Sequence, residues 1–174
     1  MKIVVTGGTG FIGRPLCRLL STNGHDVILI TRQSDLRPAP IDAGVTSVRW
    51  DGITRGSWEH ALNGAGAVIN LAGEPIADRR WTAARKKAIV QSRVGTTRLL
   101  VDACASLPSV PPVLINGSAI GYYGPRGDAL LHEDADIGSG FLADLCRDWE
   151  QAAIAGEQLG MRVVRVRIGM VLGL

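Results

Sequence analysis

Apolar and β-branched residues in this chain fall into short, nearly unbroken runs. Between the runs lie longer stretches in which apolar residues recur every three or four positions. The runs are KIVVT (2–6), DVILIT (26–31), VTSVRW (45–50), GAVINLA (66–72), PVLINGS (112–118) and MRVVRVRIGMVL (161–172). Most are continuously apolar rather than alternating, as strands covered by helices on both faces should be. A parallel sheet of about six strands is therefore expected. Between the first two runs, FIGRPLCRLLSTNG sets Phe11, Ile12, Leu16, Leu19 and Leu20 near helical spacing and stops at Asn23 and Gly24, residues suited to a helix terminus. Thr82 is a candidate N-cap for a long helix reaching Ser106, and a further helix is expected from Gly140 to Leu159, stopped by Gly160. Strands alternating with helices in this way make a doubly wound α/β sheet with right-handed crossovers. The segment from Gln33 to Gly44, with Pro38 and Pro40, reads as an irregular loop.

The 174 residues, 46% of them hydrophobic, suit one domain over 1–174. No apolar run approaches the roughly 18 residues of a membrane helix, and MKIVVTGG is too short for a signal-peptide core and reads as a first strand. Cys17, Cys104 and Cys146 are odd in number, far apart and without a CxxC pair, which supports neither a disulfide framework nor a zinc site. His25, His60 and His132 form no HxxxH pair, and no metal is expected. A reducing, cytoplasmic setting fits best. The net charge of +3 is small for a nucleic-acid binder, and neither nucleic acid nor membrane is an expected partner. Arg79, Arg80, Arg85, Lys86, Lys87, Arg93 and Arg98 nevertheless crowd one stretch, either as a solvated helix face or as a site for an anion.

Directly after the first run comes TGGTGFIG, with Gly7, Gly10 and Gly13 in GxxGxxG spacing and Phe11 and Ile12 opening the helix. Glycines joining a first strand to a first helix permit a tight turn and bring backbone N–H groups to a pyrophosphate, where the helix N-terminus favours negative charge. Dinucleotide binding in a Rossmann-type domain is the expectation. At the end of the second run an acidic residue would accept hydrogen bonds from the ribose 2′-hydroxyl of NAD; here stand Thr31 and Arg32, and an arginine suits a 2′-phosphate. NADP(H) is favoured over NAD(H), with Asp35 close enough in sequence to weigh on the other side. Asp51 has two readings, a contact to the adenine edge or a turn-capping carboxylate.

With TGGTGFIG, Arg32, INLAGEPIADRRW (69–81), QSRVGTT (91–97), GSAIGYYG (117–124) and RIGMVLG (167–173), the chain resembles the extended short-chain dehydrogenase/reductases. More narrowly it resembles the atypical NAD-dependent epimerase/dehydratase, or nucleoside-diphosphate-sugar epimerase, family with its YfcH-like and SulA-like subgroup. The resemblance implies NADP(H) contacts at Thr31, Arg32, Leu71, Ala72, Gly73 and Arg93. It also implies a carboxyl-terminal substrate region, which is missing here, so that 1–174 is expected to be the amino-terminal part of a longer protein.

Typical members use a serine or threonine after the fifth strand and a Tyr-x-x-x-Lys pair on the next helix, where lysine lowers the tyrosine pKa toward working pH. By that resemblance the pair would fall near Phe141 or Leu142 and Leu145 or Cys146, and it is absent. The serine position falls on Ala119, or on Ser118 if one residue is inserted. Ser118, Tyr122 and Tyr123 are thus the candidate catalytic groups, each with a structural alternative. Two functions follow from the resemblance. One is an NADP(H)-binding, epimerase-like oxidoreductase acting on a nucleotide sugar or a small carbonyl or alcohol; the other is a dinucleotide-dependent sensor or interaction protein without chemistry, such as a cell-division regulator.

Overall fold

The computed structural model describes residues 1–32 and 44–173. The expected loop before Gly44, including Asp35, lies outside the described residues. The strands are β1 (Lys2–Thr6), β2 (Asp26–Thr31), β3 (Val45–Arg49), β4 (Ala67–Asn70), β5 (Val113–Ala119) and β6 (Arg162–Ile168). They form one sheet in the order β3-β2-β1-β4-β5-β6 with every neighbouring pair parallel. Central β1 and β4 are buried nearly throughout, whereas β3 and β6, at the two edges, are half exposed and carry Arg49, Arg162, Arg165 and Arg167. Polar residues enter the runs where one face of the sheet is open to water.

Odd and even positions of β1 feed two separate cores. Ile3 and Val5 pack with Cys17 of α1 (Gly13–Thr22), while Val4 faces Leu100 and Cys104 of α3 (Thr96–Ala105) and Ala153 of α4 (Phe141–Ile154). The helices thus lie on opposite faces of the sheet, as parallel strands with crossover helices require. Cys17, Cys104 and Cys146 are buried free thiols, and burial raises the pKa of each, that of Cys104 to about 11. Among the described residues no helix is long and apolar enough to cross a membrane.

Two expected elements change on folding. The sixth run yields a strand only as far as Ile168, which pairs with Ala119; there β5 gives way to the 3-10 turn Ile120–Tyr123, and Gly169 onward has no strand to pair with. The helix expected from Thr82 to Ser106 is helical throughout, but as α2 (Ala83–Val90), a π-helical turn at Gln91–Gly95, and α3 in unbroken succession. Hydroxyl groups mark the widening: Ser92 Oγ donates to the Ile89 carbonyl at 2.9 Å, and Thr96 Oγ1 reaches both the Gln91 and Gly52 carbonyls. Such π turns gather at functional sites, and this one turns Ser92 and Arg93 toward the loop after β4. Thr82 does cap α2, its Oγ1 accepting the Arg85 N–H at 3.2 Å. Thr82→Ala is expected to lower stability by about 1 kcal/mol, read as a lower urea midpoint at unchanged slope.

Candidate functional site

Strand order reverses between β1 and β4, the place where open parallel sheets bind ligands beyond their carboxyl ends. A cleft of about 650 Å³ opens there, within the range of small-molecule sites. Gly7 and Gly10 floor it, Thr31 and Arg32 end β2 on one side, and Leu71, Ala72 and Gly73 follow β4 on the other. Gly7 has φ +72°, and a Cβ there would strike the Leu71 carbonyl; a Cβ on Gly13 would strike the Gly7 carbonyl. Only glycines let the turn lie this close to β4 and to the first turn of α1. No side chain caps α1, whose N-cap is Ile12, and no acidic residue lies in its first turn. The Arg14 N–H is taken by the Gly10 carbonyl at 3.0 Å and Pro15 has none, which leaves the N–H groups of Phe11, Ile12 and Gly13 as the donors at this turn that can meet an anion. Phe11 is exposed beside this terminus, its ring lying against Gly173.

Arg32 leans from the end of β2 to Glu74, its Nη1 donating to Oε1 at 2.7 Å. Glu74 also receives Nη1 of Arg85 on Oε2 at 3.3 Å, and Arg85 is anchored by Asp78 at 2.7 Å and by the Pro75 carbonyl. Hydrogen bonds from Arg32, opposed by burial and aided by Arg85, hold the Glu74 carboxyl below its usual pKa. The loop carrying Glu74 is fixed from below: its N–H donates to Ser92 Oγ at 3.0 Å and its carbonyl accepts Arg93 Nη1 at 2.9 Å. Arg93 packs against Gly73 and over the Trp149 ring, so its guanidinium supports the loop from beneath. Asp51 lines the cleft, but its carboxylate accepts the N–H groups of Ile53 and Thr54 and the Thr54 hydroxyl, all at 2.6–2.8 Å. The turn-capping reading describes that side chain.

A row of polar residues crosses the strands beneath the cleft. The register sets Thr6 beside Asn70 and Asn70 beside Asn116, all virtually inaccessible to solvent. Thr6 Oγ1 donates to Asn70 Oδ1 at 2.5 Å, and Asn70 Nδ2 donates to Asn116 Oδ1 and Thr97 Oγ1. Buried amides satisfied in this way fix the register of three strand ends.

One strand further, the register puts Ser118 of β5 beside Arg167 of β6, and Glu150 of α4 drops onto both. Ser118 Oγ donates to Glu150 Oε1 at 2.6 Å, and Arg167 clasps the same carboxylate with Nε at 2.8 Å and Nη2 at 3.0 Å. Glu150 is only 2% exposed. Burial pushes its pKa up, but the bonds from Arg167 and Ser118 and the charges of Arg167 and Arg165 outweigh it and hold the carboxyl below its ordinary value. Arg167 Nη1 also donates to the Tyr123 hydroxyl at 2.9 Å, and its guanidinium lies 3.6 Å from the centre of the Tyr122 ring. Ser118, Tyr122 and Tyr123 are therefore brought together, as GSAIGYYG suggested, around an arginine–glutamate pair that the sequence did not single out.

The model of the NAD dependent epimerase/dehydratase family matches residues 3–173. The chain belongs to this family. An epimerase family protein, the SDR39U1 homologue of Arabidopsis thaliana, is 36% identical over 99% of this chain and 50% of its own length. Epimerase family protein Mb2239 of Mycobacterium bovis is 39% identical over 98% of this chain and 54% of its own. The chain spans about half the length of the curated relatives it matches. The crystal structure of human SDR39U1 with NADPH superposes with a TM-score of 0.80 at 35% identity, covering 99% of this chain and 55% of that one. UDP-glucuronic acid 4-epimerase of Bacillus cereus, solved with NAD, has the same fold at 22% identity. The architecture is thus the NAD(P)-binding fold of the epimerase family.

Within this family member, α4 turns apolar residues toward the end of β5. A Cβ on Gly121 would lie 3.3 Å from Leu142 and 3.7 Å from Cys146, one turn apart on the helix face where resemblance puts the missing tyrosine and lysine. A second hollow beside them is lined by Trp81, Ile120, Phe141 and Leu142. Sequence reasoning does not find Glu74, Ser92, Glu150 or Arg167. Glu74 lies inside a quoted motif and Glu150 inside an acidic run, but their importance comes from partners up to 42 residues away, as for Arg32 and Glu74.

Proposed function

We propose that this chain is the NADP(H)-binding part of an epimerase-like oxidoreductase acting on a nucleotide sugar or on a small carbonyl or alcohol. The observation that carries the reading is the cleft itself, lined by a glycine turn that leads into a helix without a side-chain cap, and by Arg32. The cradle fits a dinucleotide. Gly7, Gly10 and the N–H groups of Phe11, Ile12 and Gly13 suit the pyrophosphate, Thr31 and Arg32 the adenosine 2′-phosphate, and Leu71–Gly73 the wall beyond β4. A bound nicotinamide supplies hydride chemistry. The protein's share is to orient it, exclude water and hold the proton that accompanies hydride transfer. Tyr122 and Tyr123, both in contact with Arg167, and Ser118, held by Glu150, are the candidate hydroxyls for that duty. The reading includes a small-molecule substrate and a reducing cytoplasm, and the three buried cysteines without a disulfide are compatible with the latter.

A second reading, a dinucleotide-dependent sensor without chemistry, is favoured by Leu142 and Cys146, neither of which can replace the Tyr-x-x-x-Lys pair. Titrations decide the cofactor: NADPH binds more tightly than NADH, and Arg32→Asp removes the difference by weakening NADPH roughly tenfold or more. An Arg32→Asp variant that binds NADPH as tightly as the parent refutes the 2′-phosphate assignment. Deuteride transfer from labelled NADPH to nucleotide sugars or small carbonyls supports the oxidoreductase, whereas tight binding with no transfer supports the sensor.

A further inference from the structure

Arg32 extends from the end of β2 and Glu74 from the loop after β4, and in the sheet β1 with its glycine turn lies between them. Both residues line the cleft, so their ion pair joins its two walls, on the side that the proposed function assigns to the adenosine end of a dinucleotide. Arg32 is 65% exposed and, among the described residues, Glu74 is the carboxylate that holds it. Arg85, by contrast, is 13% exposed and pinned by Asp78 and Pro75. Ser92 and Arg93 fix the backbone of Glu74 on both sides.

We propose that Glu74 sets cofactor preference by competing with the 2′-phosphate for Arg32. This rests on the reading of the cleft as a dinucleotide site. Without cofactor, Glu74 holds the exposed guanidinium over the cleft. When a 2′-phosphate enters, Arg32 passes to it, and Glu74 keeps Arg85, so the exchange strands no carboxylate. The carboxylate nevertheless opposes the incoming anion, because both approach the same guanidinium. An adenosine bearing a free 2′-hydroxyl meets no such opposition and finds in Glu74 an acceptor for its O–H. Arg32 pulls toward NADP and Glu74 moderates that pull; the preference of the protein is the balance of the two.

The experiment is calorimetric titration of NADPH and of NADH into the parent, Glu74→Gln, Arg32→Ala and the double variant, with melting curves for each. Glu74→Gln keeps the shape and a hydrogen-bonding oxygen, so it should fold. It is expected to tighten NADPH about fivefold, a modest figure because the pair is partly exposed and screened, while leaving NADH unchanged or weaker. In the Arg32→Ala background the same substitution should change NADPH affinity by less than about half as much on a logarithmic scale, since no guanidinium remains to be freed. The gain in Glu74→Gln should shrink at high salt. Unchanged or weaker NADPH binding in a well-folded Glu74→Gln overturns the proposal and leaves the dinucleotide reading standing. A gain equal with and without Arg32 also overturns it, because competition for Arg32 would then play no part. If the parent binds neither nucleotide, both readings fall.

Discussion

Arg167→Ala is expected to destabilise the protein by about 3 kcal/mol, at the lower end of what removing one partner of a buried ion pair costs. The substitution leaves Glu150, 2% exposed, with Ser118 at 2.6 Å and Arg165 at a longer 3.4 Å as its remaining partners. Arg165 is the reason the loss stays at the lower end. The guanidinium's packing over Tyr122 and its bond to the Tyr123 hydroxyl disappear as well. Urea denaturation at neutral pH reads the change as a lower midpoint. A loss under about 1 kcal/mol would mean that water or Arg165 already solvates the carboxylate.

The same pair predicts an acid response with a definite sign. The folded pKa of Glu150 lies below its ordinary value, so the contribution of its ionised form is complete above the unfolded pKa of about 4.3 and is lost as pH falls through the folded one. Glu150→Gln should therefore flatten the decline of stability below about pH 4.3 relative to the parent. Denaturation midpoints across the acid range test this, and parallel curves would exclude Glu150 as a source of the decline.

Much of the sheet can be read along the chain because burial on both faces leaves unbroken apolar runs, and KIVVT, DVILIT and GAVINLA are strands to within a residue or two at each end. The glycine turn is legible because Gly7, Gly10 and Gly13 follow a strand and open a helix within one short motif, although the close approach of Gly7 to Leu71 is set by the fold. Where the sequence says less, the cause is a partner that only the fold brings close. Arg85 and Arg93 belong to a basic group readable as a solvated helix face or an anion site, with Arg93 also a cofactor contact by resemblance, and neither reading shows the partners the fold gives them. Arg85 grips Glu74 and Asp78, and Arg93 supports the β4 loop, because a π turn rotates the chain between α2 and α3. Glu150 looks like part of a solvated acidic run until α4 sets it down on Ser118 and Arg167. GSAIGYYG does mark a cluster of hydroxyls, but the groups that organise it come from α4 and β6. The expected end of β6 overshoots since RIGMVL remains apolar after the neighbouring strand has stopped.

Gly7→Ala is expected to weaken NADPH binding at least about a hundredfold, since a displacement of the phosphate turn disrupts several N–H contacts at once. Two effects act at this residue. Gly7 has φ +72°, a conformation that costs an L-residue about 1–2 kcal/mol. Its new Cβ would also meet the Leu71 carbonyl, an overlap of the kind that costs about 1–3 kcal/mol. Neither side can withdraw cheaply: Leu71 N–H donates to the Thr6 carbonyl at 3.0 Å, and Thr6 Oγ1 is bonded to Asn70 Oδ1. Relief therefore comes from lifting the turn away from β4, which raises the floor of the cleft and moves the N-terminus of α1. Gly24→Ala separates the two effects. Gly24 has a similar φ of +77°, but an added methyl there would meet no neighbour within 4 Å, so the variant should lose only about 1 kcal/mol of stability and bind NADPH as the parent does. If both variants lose the same stability and both keep full affinity, the close approach of Gly7 to Leu71 has no role in cofactor binding; a hundredfold loss confined to Gly7→Ala ties the cradle to that contact.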